Sequence, residues 1–221
     1  YGENPHQQAA LYGFDADAEL GGIEKLHGKS LSYNNLVDLD AALELVREFE
    51  SPAAAIIKHT NPGGCATGED LESAYDDALA CDPMSSYGGI AALNREVDTS
   101  LAEKLHDHYF EIIAAPAFDR DALDILQGNK NVRLLRVPAH LESPPTQIRA
   151  TAIGHLVQET DPVVSLDEEG IDVPTEAAPT EEQLESMAFL WKVCKHVKSN
   201  AIVIGSGTRT VGVGAGQMSR V

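Results

Sequence analysis

One short run of residues constrains this chain more than any other. Ala53 to Ile57, Ala-Ala-Ala-Ile-Ile, is continuously apolar, too short for a buried helix and bounded by turn residues, which predicts an interior strand of an α/β sheet. Lys58 and His59 stand where that strand ends, and Asn61-Pro62-Gly63-Gly64 is expected to turn the chain and expose backbone N–H groups. Open α/β sheets bind ligands at their carboxyl edge. There an adjacent Lys and His would offer a cation for a developing oxyanion and a base titrating near neutrality. Any strand can also end in polar residues, and the pair alone does not separate the two readings.

The flanking sequence supplies helices and further strands. Leu39, Ala42, Leu43, Val46 and Phe49 recur at helical spacing and predict an amphipathic helix over 38–49; Leu71, Ala74, Ala78 and Leu79 predict another over 70–80. Short apolar runs predict strands at 90–93, 111–115 and 132–137, with helices capped by Ser100 and centred on 122–126 between them. Residues 11–14 are expected to form a short strand and 26–35 a polar loop. This alternation implies a three-layer αβα fold, with helices on both faces of the sheet. His106 and His108 lie two apart and cannot share a ligand from one helix face.

Beyond Val137 the composition changes. Residues 146–156 read as extended, and 159–179 as an acidic, proline-containing linker or long loop. Thr180 and Gln183 form a capping box for a helix running to about Lys198, whose last turns carry Lys192, Lys195, His196 and Lys198, all suited to the negative end of the helix dipole. Residues 201–204 and 211–214 are expected to be strands around a turn at 205–208. The Gly-x-Gly-x-Gly run from Gly212 to Gly216 is by itself weak evidence for a phosphate cradle.

Charge narrows the function. Lys and Arg total 16 against 35 Asp and Glu, a formal net charge of −19, which repels nucleic acid and anionic membranes. The dispersed acids fit either adaptation to high salt or an ordinary acidic cytosolic protein. No apolar run approaches the roughly 20 residues that cross a bilayer, and the first residues lack the form of a signal peptide. Cys65, Cys81 and Cys194 match no zinc or disulfide spacing, which suits a reducing cytoplasm. A zinc hydrolase of the deaminase type needs His-x-Glu and Pro-Cys-x-x-Cys, and neither occurs.

Six separated motifs carry a resemblance: Tyr-Gly-Glu-Asn-Pro-His-Gln at 1–7, Leu-Ser-Tyr-Asn-Asn-Leu-Val-Asp at 31–38, Ile-Lys-His-Thr-Asn-Pro-Gly-Gly at 57–64, Ser-Ser-Tyr-Gly-Gly at 85–89, Lys-Ser-Asn-Ala at 198–201 and Gly-Val-Gly-Ala-Gly-Gln-Met-Ser-Arg at 212–220. In identity and order they resemble the transformylase part of the phosphoribosylaminoimidazolecarboxamide (AICAR) formyltransferase and IMP cyclohydrolase family, over essentially the whole chain. The resemblance implies two cytidine-deaminase-like subdomains, the first over 1–141 and an incomplete second over 142–221. It also implies a cytoplasmic homodimer with shared active sites, and formyl transfer from 10-formyltetrahydrofolate to the 5-amino group of AICAR without a catalytic metal. Carried over residue by residue, it makes Lys58, His59 and Asn200 catalytic, adds Tyr1, Gly88 and Glu111 as substrate contacts, and puts Met84 on one wall of the folate pocket. The family's cyclohydrolase domain, the Arg preceding its first motif and its later Arg and Phe ligand positions are not in these 221 residues, so the chain is expected to be a partial transformylase. The alternative reading is a non-catalytic purine-nucleotide-binding or dimerisation module of the same fold.

Overall fold

The computed structural model describes residues 1–13, 19–138, 141, 143–162 and 171–219. Its strands are β1 (Glu24–His27), β2 (Ala53–Lys58), β3 (Asn61–Thr67), β4 (Ile90–Leu93), β5 (Ile112–Ala115), β6 (Arg133–Arg136), β7 (Thr146–Thr151), β8 (Gly154–Glu159), β9 (Ile202–Ser206) and β10 (Arg209–Gly214). The helices are α1 (Tyr33–Val46), α2 (Leu71–Cys81), α3 (Pro83–Ser86), α4 (Thr99–Asp107), α5 (Arg120–Leu126) and α6 (Glu181–Lys195).

Eight strands form one mixed sheet in the order β1-β6-β5-β4-β2-β3-β10-β9. The strands β4, β5 and β6 run parallel, and the other neighbours are antiparallel. Side chains alternate along β2 because successive Cβ atoms point to opposite faces of a strand. Ala54 and Ile56 join Tyr75, Leu101, Leu105 and Leu126 in the core under α2, α4 and α5. Ala53, Ala55 and Ile57 join Leu39, Leu43, Phe189 and Val193 in the core under α1 and α6. The expected three-layer α/β arrangement is therefore present. No helix of the described residues is long and apolar enough to cross a membrane.

Local capping sets where the helices begin. The Ser32 hydroxyl accepts from Asn35 N and the Asn35 side chain returns the bond to Ser32 N; Thr180 and Gln183 do the same for α6, as the sequence predicts. The α4 cap is Asp98, which accepts from Leu101 N, and not Ser100, whose hydroxyl instead donates to Glu72.

Several other expectations change. Residues 26–35 are not one polar loop: Leu26 and His27 end β1, paired to β6, and Tyr33 starts α1. Residues 11–13 carry no strand, and Phe14 lies outside the described residues. Gly205 and Ser206 belong to β9, so only Gly207 and Thr208 turn the chain, with Gly207 at φ 57°. The extended stretch after 145 is a separate hairpin of β7 and β8, exposed along its whole length. Of the acidic stretch at 159–179, residues 163–170 lie outside the described residues.

The boundary expected between residues 141 and 142 does not separate two sheets. The β9–β10 hairpin extends the sheet of β1 to β6, and Phe189 and Val193 of α6 complete the core beneath α1.

Candidate functional site

The apolar run of β2 is interior, as predicted, but the turn after it is not where proline and glycine suggested. Lys58 pairs with Asn61, so the hairpin loop is His59-Thr60, with φ of 51° and 63°. Both central residues in the left-handed region make a two-residue turn whose twist matches the flanking strands. Asn61-Pro62-Gly63-Gly64 is strand, not turn. Ile56 faces Gly64 and Ile57 faces Pro62, leaving Gly63 unopposed in a β-bulge that tolerates the proline.

Strand direction corrects a second expectation. The edge bearing Lys58 is the carboxyl end of β2, but β4 is antiparallel to it and Ile57 faces Ile90. The same edge therefore holds the amino ends of β3, β4, β5 and β9. Antiparallel pairing, not a uniform carboxyl edge, brings the motifs to one place.

Hydrogen bonds then join all six motifs. Lys58 Nζ donates to Tyr87 O at 2.6 Å, beside Gly88, which has φ 74° and donates its N–H to Tyr109 O at 2.7 Å. Glu111 N donates to Gly89 O at 2.9 Å, and Glu111 Oε2 accepts from Asn35 Nδ2 at 2.8 Å, with Arg133 Nη1 at 3.7 Å. Tyr33 N donates to Tyr1 O at 3.2 Å, and Asn34 Nδ2 to Glu3 O at 3.3 Å, which fastens the first motif to the second. The second reaches the third where Thr60 N donates to Asp38 Oδ1 at 2.8 Å. Asn61 Nδ2 donates to His59 O at 3.0 Å while Asn61 Oδ1 accepts from Lys198 N at 3.1 Å. Asn200 Nδ2 donates to Gln217 O at 2.8 Å, bringing in the sixth motif as far as the described residues run; Arg220 lies outside them.

Of the residues the resemblance singles out, Lys58, Gly88, Glu111 and Asn200 take part in these bonds, and the exposed His59 stands at the turn. Tyr1 is held by its main-chain carbonyl, and the residue is 63% exposed. Met84 sits on α3 with its side chain exposed, three residues before the carbonyl that receives Lys58. Asp38, Asn61, Asn35 and Gln217 were quoted within motifs but given no task, and these are the side chains and carbonyls that stitch the motifs together. Among the described residues no group of three or more His, Cys, Asp or Glu is placed to hold a metal ion.

A cleft of about 1310 Å³ lies to one side, between α1, the first residues of the chain and the β7–β8 hairpin. Tyr1, Ser32, Tyr33 and Lys198 reach it, whereas Lys58, His59, Gly88, Glu111 and Asn200 do not line it. The cleft meets the motifs at Tyr1, at Leu31, Ser32, Tyr33, Leu36 and Val37 of the second motif and at Lys198, but none of the residues around the His59 turn lines it, so geometry gives greater weight to the bonded motifs than to cavity size.

The comparisons with known proteins agree over the full length. The family model described as AICARFT/IMPCHase bienzyme matches residues 1–221. The chain is 50% identical over 224 residues to the bifunctional purine biosynthesis protein PurH of Bacillus mycoides (strain KBAB4) and 51% identical over 225 residues to that of Halalkalibacterium halodurans. All of this chain is covered in both alignments, but it spans only 44% of each relative's own length.

Proposed function

We propose that this chain, which belongs to the AICARFT/IMPCHase bienzyme family, carries the centre that transfers a formyl group from 10-formyltetrahydrofolate to the 5-amino group of AICAR. The observation that carries this reading is the hydrogen-bonded convergence of six sequence-distant motifs around the Lys58-His59 turn. The relatives are named as bifunctional purine biosynthesis proteins, and that name supports the reading.

The chemistry asks for what this edge offers. The 5-amino nitrogen is a poor nucleophile because its lone pair is delocalised into the ring and carboxamide, so transfer needs a base, close positioning and stabilisation of a tetrahedral oxyanion. His59, exposed at the turn, takes the amino proton as the nitrogen attacks the formyl carbon. Lys58, fixed by one N–H on Tyr87 O, has two further N–H groups for the oxyanion and for the N10 that departs as tetrahydrofolate. Asn200 orients the carboxamide. Tyr1, Gly88 and Glu111 contact the nucleotide and Met84 lines the folate side. The step uses no metal, and a homodimer in the cytoplasm with shared sites is the assembly we propose.

The test is formyl transfer by the full natural protein, following tetrahydrofolate production, with His59→Ala as the variant. Loss of turnover with an unchanged melting temperature is expected, because the His59 side chain is exposed. Near-normal turnover removes His59 from the mechanism. Binding of AICAR without any turnover in the unaltered protein favours a non-catalytic nucleotide-binding module.

A further inference from the structure

We infer that Asn61 is a positioning residue, whose carboxamide locks the left-handed turn that carries His59 to the segment that carries Asn200. The inference rests on the formyl-transfer reading for its kinetic consequence, and on geometry alone for the lock itself.

The turn needs holding. His59 and Thr60 both have positive φ without being glycine, a region that side-chain-bearing residues rarely occupy and that is least comfortable for β-branched Thr60. Such a conformation persists where its surroundings over-determine it. Two side chains do so here: Asp38 accepts the Thr60 N–H at 2.8 Å, and Asn61 Nδ2 donates to the His59 carbonyl at 3.0 Å.

Asn61 does a second thing that Asp38 does not. Its Oδ1 accepts the Lys198 N–H at 3.1 Å, two residues before Asn200. The main chain leaves this junction to side chains. The β3–β10 register is a single pair, Arg209 with Ala66, and one step further Thr210 Oγ1 stands in for a ladder partner, accepting from Cys65 N at 2.9 Å and donating to Cys65 O at 3.1 Å. Among the described residues the two strands have no further register pair towards the motif edge, so strand pairing does not tie the turn to the 198–200 segment there. One amide there faces both ways, donating to the turn and accepting from the segment. Displacing a reacting group by about 1 Å can cost roughly 10²-fold in rate, so loosening this junction acts on turnover without removing any group that touches substrate.

Two variants in the full natural protein separate the two bonds. Asn61→Ala removes both, and amide hydrogen exchange at Lys198 is expected to accelerate by about tenfold or more. In formyl transfer kcat is expected to fall by about tenfold to 10²-fold, with KM for AICAR within about a factor of two. Asn61→Asp keeps the oxygen that accepts from Lys198 but presents a second oxygen to the His59 carbonyl. Lys198 protection should then survive while kcat still falls. Unchanged Lys198 exchange in the folded Ala variant overturns the lock, and wild-type kcat in both variants overturns its role in positioning. Should Asn61→Ala fail to fold, the Asp variant decides: retained protection with reduced kcat supports the proposal, and wild-type kcat overturns it. If the unaltered protein transfers no formyl group, the reaction reading fails, and the exchange measurement still decides the lock.

Discussion

Glu48 and His196 meet where the ends of α1 and α6 come together on one face of the sheet: Glu48 Oε1 lies 2.9 Å from His196 Nε2, with only 4% and 10% of the two side chains exposed. Lys195 Nζ reaches the same oxygen at 2.8 Å, and Lys192 Nζ donates to the Glu48 main-chain carbonyl at 2.9 Å. The basic residues at the end of α6 are thus used mainly to seat that helix on the end of α1. Lys192, Lys195 and His196 do lie at the last turn and cap of the helix, as the dipole explanation expects, and Glu48 adds a specific partner to it. The consequence reaches the candidate site, because His196 is two residues from Lys198 and four from Asn200.

Burial pushes the Glu48 carboxyl up, but hydrogen bonds from His196 and Lys195 and their charge outweigh it, so the group sits below the ordinary glutamate range. A carboxylate with a depressed folded-state pKa contributes stability that is fully present above its unfolded value and lost as pH falls through the folded one. Glu48→Gln leaves the Lys195 ammonium, with 16% of its side chain exposed, without its charged partner, and is expected to cost about 3 kcal/mol at pH 7. Melting curves from pH 7 downwards check it. The gap between variant and unaltered protein should narrow below about pH 4.5, where glutamate in an unfolded chain takes up its proton; a gap that is constant with pH would show that the pair's charge contributes nothing.

Lys58→Arg tests whether the candidate oxyanion group needs a compact ammonium. Lys58 Nζ is anchored on Tyr87 O at 2.6 Å at the end of a buried strand, and a planar guanidinium cannot occupy that point while presenting its remaining donors in the same directions. A fall of roughly 10²-fold in kcat is expected, as on loss of one oxyanion donor. Steady-state kinetics of the full natural protein decide it, and an Arg variant with the unaltered rate would show that positive potential alone suffices.

These side chains also show what a reader of the sequence could and could not see. The β2 run was legible because a strand buried on both faces has no polar positions to interrupt it, and Ala53 to Ile57 are all buried. The capping box at Thr180 and Gln183 was legible because both partners lie within one turn. Asn61 to Gly64 was misread because proline and glycine usually turn a chain, whereas here Gly63 bulges out of a ladder. The true turn was hidden because His signals a left-handed backbone only weakly and β-branched Thr argues against one. Glu48 with Lys195 and His196 was invisible for a different reason: the partners are brought together only by sheet order, across almost 150 positions of sequence. The motif resemblance names Lys58, Gly88, Glu111 and Asn200 without these bonds, and the bonds show how Asp38, Asn35 and Asn61 connect to the same edge.

Asn35 offers the last test, because one buried amide serves both a helix start and the candidate substrate contact. Its Oδ1 accepts the Ser32 N–H at 3.1 Å, closing the capping box of α1, and its Nδ2 donates to Glu111 Oε2 at 2.8 Å. Asn35→Asp keeps the first bond and replaces the second with an oxygen facing a carboxylate. Two carboxylates in contact disfavour each other's ionisation, and Arg133, at 3.7 Å from Glu111, offsets the repulsion only in part. The folded pair should hold a proton more tightly than the unfolded chain does, so the penalty is smallest in acid and grows as pH rises through the carboxylate range. At pH 7 it is expected to reach about 1–3 kcal/mol, the cost of leaving a buried polar group without its partner. If Glu111 contacts AICAR, KM for AICAR should rise in the same variant as the Glu111 side chain is driven from Asn35. Thermal melts across pH 4 to 8, run beside AICAR kinetics of the full natural protein, read both effects. A variant as stable as the unaltered protein at pH 7 would mean that the Asn35–Glu111 bond carries no weight in the fold, and an unchanged KM alongside a lowered stability would remove Glu111 from the substrate contacts while leaving its structural bond in place.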